Sequence, residues 1–383
     1  MKLEIAHLNS VDLTGTDLRR DLPEGFGKAE VSLADMYDWT TLWYDTFVVG
    51  RRLAIVCPLL LNLEEHLVKG QLRIDGVPAK LLKIERRLSH TILWFRAPRD
   101  IQDIAIDLDG QREVVTSASQ TDRAFFQGKN TFVTVQKDNP LVWIRDHLRY
   151  HREAHRLEAA LIFDNGSTAY SLEELGAAVA ESGIERAKIV PVPFRFGARG
   201  KNASGAPDWR GQTLQTSLLN IARLRFLSRA RAVLQGDIDE LVWCKGGASV
   251  FDIARRHPLG YAHYPMSWRY TRNIDDRQTR HQDHLWKRSV ADPAQPKYCV
   301  CPRGPLFWAS WDVHQVVPLG IRKRLLSRRA GAWHLRHLST NWKPFQKRLD
   351  QRDDLVWDPE IAAALSKIDF DDVVAPKNER GES

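Results

Sequence analysis

The chain has 383 residues, long enough for two domains, and its 43% hydrophobic and 27% charged residues are those of an ordinary globular protein. No run of about eighteen apolar residues occurs, which excludes a membrane-spanning helix, and four cysteines without C-x-x-C spacing suggest neither a zinc ribbon nor a disulfide framework. An excess of 56 Lys and Arg over 48 Asp and Glu leaves a net charge of +8, a bias toward anionic partners such as nucleic acid, acidic lipid or a phosphorylated substrate.

The first residues, Met1 to His7, carry polar and charged side chains where a signal peptide needs an apolar core. A reducing, cytoplasmic setting is therefore expected. Residues 1–122 read as a β-rich accessory domain of sandwich-like type. Leu53 to Leu61 is an apolar run, and Thr91-Ile92-Leu93-Trp94-Phe95 is a second strand candidate. Asp75-Gly76 and Asp109-Gly110 follow the strand-like segments Leu72 to Ile74 and Ile104 to Leu108, and each predicts a hairpin turn. The polar stretch Thr116 to Asp122 marks the expected boundary.

From Thr131 the pattern alternates between strands and helices. The β-branched run Thr131 to Val135 precedes Asn139-Pro140, where Asn139 is placed to cap a helix and Pro140 to open it. Trp143, Ile144, Leu148 and Leu157 follow at helical spacing. Ala159 to Phe163 is the next strand, and Ser171-Leu172-Glu173-Glu174 reads as a capping box with Gly183 as the stop. Lys188 to Phe194 is a third strand, and Leu214, Leu218, Ile221 and Ala222 form the stripe of a third helix. This β-α-β-α-β-α-β order predicts a mostly parallel sheet flanked by helices, with polar residues gathered at the strand ends.

The fourth strand, Ala232-Val233-Leu234, runs into Gln235-Gly236-Asp237-Ile238-Asp239-Glu240. On an extended chain Asp237 and Asp239 lie on one side. Two such oxygen donors at a strand end suit Mg²⁺ or Mn²⁺ shared with phosphate; a solvated acidic turn is the plainer alternative. The basic knot Arg322-Lys323-Arg324, with Arg328-Arg329, reads either as a solvated face or as contact with an anionic membrane. Residues 351–383 are expected to form a helical extension ending in a polar tail, Pro376 to Ser383.

Several segments fall in the order of one family pattern: Thr134-Val135 with Lys137-Asp138-Asn139, Trp143-Ile144, Tyr150-His151, Phe163-Asp164-Asn165-Gly166-Ser167, Asp237-Ile238-Asp239-Glu240-Leu241, Lys297-Tyr298, His314 and His334-Leu335-Arg336. Over roughly residues 130 to 350 the chain resembles the glycosyltransferase family 92 and family 2-like group. The resemblance implies a GT-A-like, Rossmann-type mostly parallel sheet over residues 123–350. It also implies transfer of a sugar from a nucleotide-sugar donor, expected to be a UDP-sugar, to a glycan or lipid-linked acceptor hydroxyl with inversion. Such chemistry belongs to the building of surface polysaccharides or lipid-linked glycans.

The same resemblance implies site roles. Asp239 would bind Mn²⁺ (or Mg²⁺), Asp237 would reach the metal or the ribose, and His334 would complete the ligand set, with His337 as fallback. Arg336 would contact the diphosphate as a bidentate cation. Asp164 would meet the base or, alternatively, form an Asx turn. Lys137 and Asn139 are placed to reach the nucleotide, and Gln215 and Asn220 on the third helix are weaker candidates. For the general base, Asp312 comes first and Asp283 second, both from the acceptor-side segment. Trp268, Trp308 and Trp311 either stack on the acceptor sugar or fill the core.

Three other readings stay open. A metal-dependent phosphohydrolase or nucleotidyltransferase would use the same carboxylates at phosphorus. A non-enzymatic nucleic-acid-binding protein would use the charge, although no recognised binding motif occurs. An inactive scaffold would keep only the fold.

Overall fold

The computed structural model describes residues 1–29, 33–69, 71–272, 279–320, 325–340 and 352–371. The knot Arg322-Lys323-Arg324 and the tail Pro376 to Ser383 lie outside these residues. The protein is mixed α/β and divides into two compact units.

The first unit comprises Met1–Ala6, Phe126–Val190 and Leu227–Ser383. Its strands are β1 Lys2–Ile5, β2 Asn130–Gln136, β3 Ala159–Asp164, β4 Arg186–Pro191, β5 Ala232–Gln235, β6 Glu240–Cys244, β7 Tyr261–Arg269, β8 Pro293–Val300 and β9 Ala330–Leu335. They form one nine-stranded, mostly parallel sheet in the order β1-β4-β3-β2-β5-β8-β7-β9-β6. β1 and β4, β2 and β3, and β2 and β5 pair in parallel, whereas β8 is antiparallel to both β5 and β7. Successive strands β2, β3 and β4 step one way from β2, and β5 lies on its other side. The crevice outside the carboxyl ends of β2 and β5 is thus a topological switch point, where sheets of this kind bind ligands.

Long strand β7 pairs with β8 from Tyr261 to Ser267 and with β9 from Met266 to Arg269. The two pairings are therefore staggered along β7, and only four residues separate edge strand β6 from the end of β5. Helix α1, Leu141–His155, and helix α2, Leu172–Glu181, connect β2 to β3 and β3 to β4. Ser171 and Glu174 form the expected reciprocal cap. Helix α3, Val250–Arg256, follows β6, and α4, Pro359–Leu365, lies in the C-terminal extension. Phe132, Ile144, Leu148, Ile162, Leu234, Leu241 and Ala332 are among the side chains of this unit's core.

The second unit comprises His7–Phe125 and Pro191–Phe226. Two four-stranded sheets supply its core, one built on Arg52–Pro58 and His90–Arg96, the other on Leu72–Ile74 and Ile104–Leu108. Both Asp-Gly turns form: Asp75 and Gly76 adopt φ of 50° and 76°, Asp109 and Gly110 φ of 54° and 72°, with paired strands on either side.

This division differs from a single boundary near residue 122 in two places. Residues Met1–Ala6 join the large sheet, because Lys2–Ile5 pairs in register with Arg186–Ile189. The third helix, Leu214–Ile221, belongs to the second unit and continues as a π-helical turn, Ala222–Phe226. A buried ion pair between Arg225 and Asp45, 2.8 Å, and a hydrogen bond between Thr213 and Tyr44, 2.9 Å, hold it there.

Candidate metal centre

Strand β5 ends at Gln235, and the chain then reverses. The Glu240 N–H donates to the Asp237 carbonyl at 3.2 Å, closing a turn, and the Asp237 N–H donates to Glu240 Oε2 at 3.0 Å. Residues 238 and 239 form a turn in place of the expected extended strand. The reversal sends Asp237 and Asp239 to different partners. Asp237 Oδ2 meets Lys297 Nζ of β8 at 3.3 Å, and Asp239 Oδ2 meets His334 Nε2 of β9 at 3.1 Å.

Glu240 sits directly across the ladder from His334. Asp239, Glu240 and His334 each offer one ligand atom within 4.8 Å of the others, and all three are buried. The Leu335 N–H donates to the Asp239 carbonyl at 2.8 Å, fixing the backbone on which the group stands. Two carboxylates and an imidazole are a donor set for Mn²⁺ in preference to Mg²⁺. Two ligands at right angles, each at about 2.1 Å from an ion, stand about 3.0 Å apart. The Asp239–His334 separation fits that arrangement. The face of Trp268 stacks on the His334 ring, centroids 3.8 Å apart, and the Arg336 guanidinium lies 5.1 Å from the Trp268 ring centre.

Lys297 is wholly buried and also lies 3.4 Å from Glu240 Oε2. Burial alone would push its pKa down, but the Asp237 and Glu240 carboxylates outweigh that and raise it. The ammonium is therefore permanent. Burial and the neighbouring Asp237 and Asp239 push Glu240 up to about 8, against the pull of Lys297. One ammonium thus faces a group of carboxylates, and burial with like-charge neighbours is what raises Glu240.

Helix α1 braces this segment from beneath. His147, His151 and His155 recur every four residues on one face. His147 Nδ1 and His281 Nε2 both meet the Ile238 carbonyl, at 3.0 and 2.8 Å. The Val242 N–H donates to His151 Nε2 at 3.3 Å, and His155 Nε2 and the Tyr150 hydroxyl donate to the Val242 carbonyl at 2.7 and 2.8 Å. Each of these imidazoles is buried, and burial lowers all four, His147 to about 3 and His155 to about 4.

At the ends of β2 and β3 a polar network forms. The Gln136 amide donates to Asp164 Oδ1, and Gln136 Oε1 accepts from the Tyr170 hydroxyl at 2.9 Å and from Asn139 Nδ2 at 3.1 Å. Asp164 Oδ2 accepts from the Ser167 N–H at 3.1 Å, the Asx-turn alternative, and burial raises its pKa. Asn139 does not cap α1; Pro140 holds the cap position, and no side chain caps it. The Lys137 carbonyl accepts from Thr340 at 3.3 Å.

Other candidates lie elsewhere. Asp312 spends its carboxylate on its own turn, accepting from the Val313 N–H at 2.7 Å and from Gln315 Nε2 at 3.2 Å. Its carbonyl accepts from the Tyr298 hydroxyl at 2.9 Å, and Tyr298 faces the side of β8 opposite to Lys297. Asp283 accepts from the Arg280 N–H at 2.6 Å and caps a short helical turn. His337, the fallback ligand, accepts from the Thr271 N–H through Nδ1 at 3.3 Å. Trp311 is in the core and Trp308 is on the surface. Gln215 and Asn220 are buried residues of the second unit's helix.

Glu240 and Lys297 stood in recognised motifs, yet no local pattern gives them roles; only the strand pairing does. The histidine ladder was legible as a four-residue repeat. No protein-family model matches this chain, and no curated protein matches it. Among the described residues no helix is long and apolar enough to cross a membrane.

Proposed function

We propose that the protein is a metal-dependent glycosyltransferase of GT-A-like fold, taking its donor as a nucleotide sugar. The observation that carries this reading is the pairing of Asp239 with His334 at 3.1 Å, beside Glu240, following the switch-point strand β5. Asp239, Glu240 and His334 would hold Mn²⁺, with Mg²⁺ a poorer match to the imidazole. When bound, such a cation neutralises the charge that develops on a departing nucleoside diphosphate.

The chain's own residues do the rest. Lys297 anchors Asp237 and offsets negative charge in the group, so that the acidic turn stays folded. The α1 histidines hold the backbone from Ile238 to Val242 and so aim Asp239 and Glu240. The Gln136, Asp164, Ser167 and Tyr170 network at the ends of β2 and β3 offers donors and acceptors suited to a base. Arg336, held over Trp268, is placed to contact a diphosphate. An open cleft of about 280 Å³ runs past Trp268, lined by Arg269, Lys287 and Asp292, and offers room for part of an acceptor. Neither Asp312 nor Asp283 is proposed as base, because each is committed to its own turn.

The test is a panel of nucleotide sugars incubated with Mn²⁺ and the wild-type or Asp239→Asn protein, reading nucleoside diphosphate release with and without acceptor saccharides. Acceptor-stimulated release by the wild type, reduced at least a hundredfold in the variant, is expected. Equal activity in the variant, or release of inorganic phosphate in place of the diphosphate, would sink the proposal.

A further inference from the structure

Phe307 and Trp308 are adjacent, in the first unit, and 65% and 54% exposed. They ride on a chain of short turns. The Cys301 N–H donates to the Gly260 carbonyl at 2.8 Å, Gly304 to Cys301 at 2.9 Å, Phe307 to Gly304 at 3.0 Å and Ala309 to Leu306 at 3.0 Å. Leu306 and Ala309 turn inward and are buried, which fixes the loop and leaves the two aromatic side chains projecting. The backbone is thus held while its largest apolar groups face water.

Exposed cations lie on the same loop and on the segments bonded to its base. Arg303 is exposed on the same loop. Arg255 and Arg256 are exposed at the end of α3, four residues before the Gly260 that receives Cys301. Arg255 lies close enough to act on the Cys301 thiol, and its own acidic neighbour, Asp252, is 3.9 Å away. Arg328 and Arg329 are exposed beyond Ser327, whose N–H donates to His263 of β7 at 2.6 Å, so they flank the same end of that strand. Asp312, the one acidic residue from 303 to 329, is engaged in its own turn.

Paired exposed aromatics with guanidinium groups on the same and neighbouring segments match the boundary layer of an acidic bilayer. Aromatic side chains settle at headgroup depth, and cations are drawn to the negative surface. A protein partner would want a broader face, about 800 Å² a side, than two residues on a convex turn supply. We propose that the Phe307–Trp308 projection, with Arg255, Arg256 and Arg303 around it, docks the protein on an anionic phospholipid surface. This stands on residues separate from the metal group, so either reading survives the loss of the other.

The test is co-sedimentation of the full chain with phosphatidylcholine vesicles, with and without phosphatidylglycerol. Binding only to the acidic vesicles, weakening with salt, is expected. The double variant Phe307→Ser, Trp308→Ser should lose at least tenfold in bound fraction, and Arg255→Gln about fivefold, with melting temperature unchanged in both. Wild-type protein left in the supernatant, or variants that bind as well as the wild type, would overturn it. So would concentration-dependent self-association that the double variant abolishes, since a second copy would then be the occupant.

Discussion

Lys297 decides the electrostatics of the acidic turn. A buried ammonium within 3.3 and 3.4 Å of two carboxylates is poor evidence of stability in itself, because desolvation offsets much of the attraction. Removing it alone is another matter, since the buried Glu240 and the half-buried Asp237 would lose the cation between them. Lys297→Met should cost about 3–5 kcal/mol, read from urea denaturation in the absence of divalent ions. Adding Glu240→Gln should return part of that loss, because the two residues are in contact and their effects do not add. An unchanged midpoint for Lys297→Met would show that the pair contributes nothing.

Helix α1 works through its histidines. A neutral imidazole can donate from one nitrogen and accept at the other, and His155 uses both, donating to Val242 and accepting from the Val250 N–H at 3.3 Å. Protonation would remove the acceptors that Val242 and Val250 need. Because the folded pKa values are depressed, the unfolded chain takes up protons first as pH falls below about 6.5. The stability these groups contribute is therefore complete above about 6.5 and is lost progressively toward the folded values of about 3 for His147 and about 4 for His155. Each buried histidine should remove about 1.4 kcal/mol per pH unit across that window. Urea unfolding at a series of pH values should show a plateau above neutrality and a steep fall by pH ~5. A flat profile would mean the imidazoles are not held neutral by the fold.

At the scale of the molecule, the pairing of β9 with both β7 and β6 carries His334 to the segment that follows β5. That single feature places His334 beside Asp239. A cation bound there stabilises the fold by mass action, and Mn²⁺ at a hundredfold above its Kd should add about 2.7 kcal/mol. Melting curves with Mn²⁺, and then with excess chelator, should show the gain appear and vanish, and Asp239→Asn should show neither. Insensitivity of the wild type to Mn²⁺ would remove the metal from the account.

What the residues alone determined was local. The two Asp-Gly hairpins, the Ser171–Glu174 box and the strands from Leu72 to Ile74 and Ile104 to Leu108 all form where their spacing places them, because each depends on backbone preferences within a few residues. The acidic stretch also lies at a strand end, as its pattern requires. Which carboxylates meet was decided only by tertiary pairing. Asp237 and Asp239 look equivalent along the chain, yet their partners lie 60 and 95 residues away, on β8 and β9. No local preference reports a contact of that range; it exists only once the sheet has formed and the backbone has reversed after Gln235.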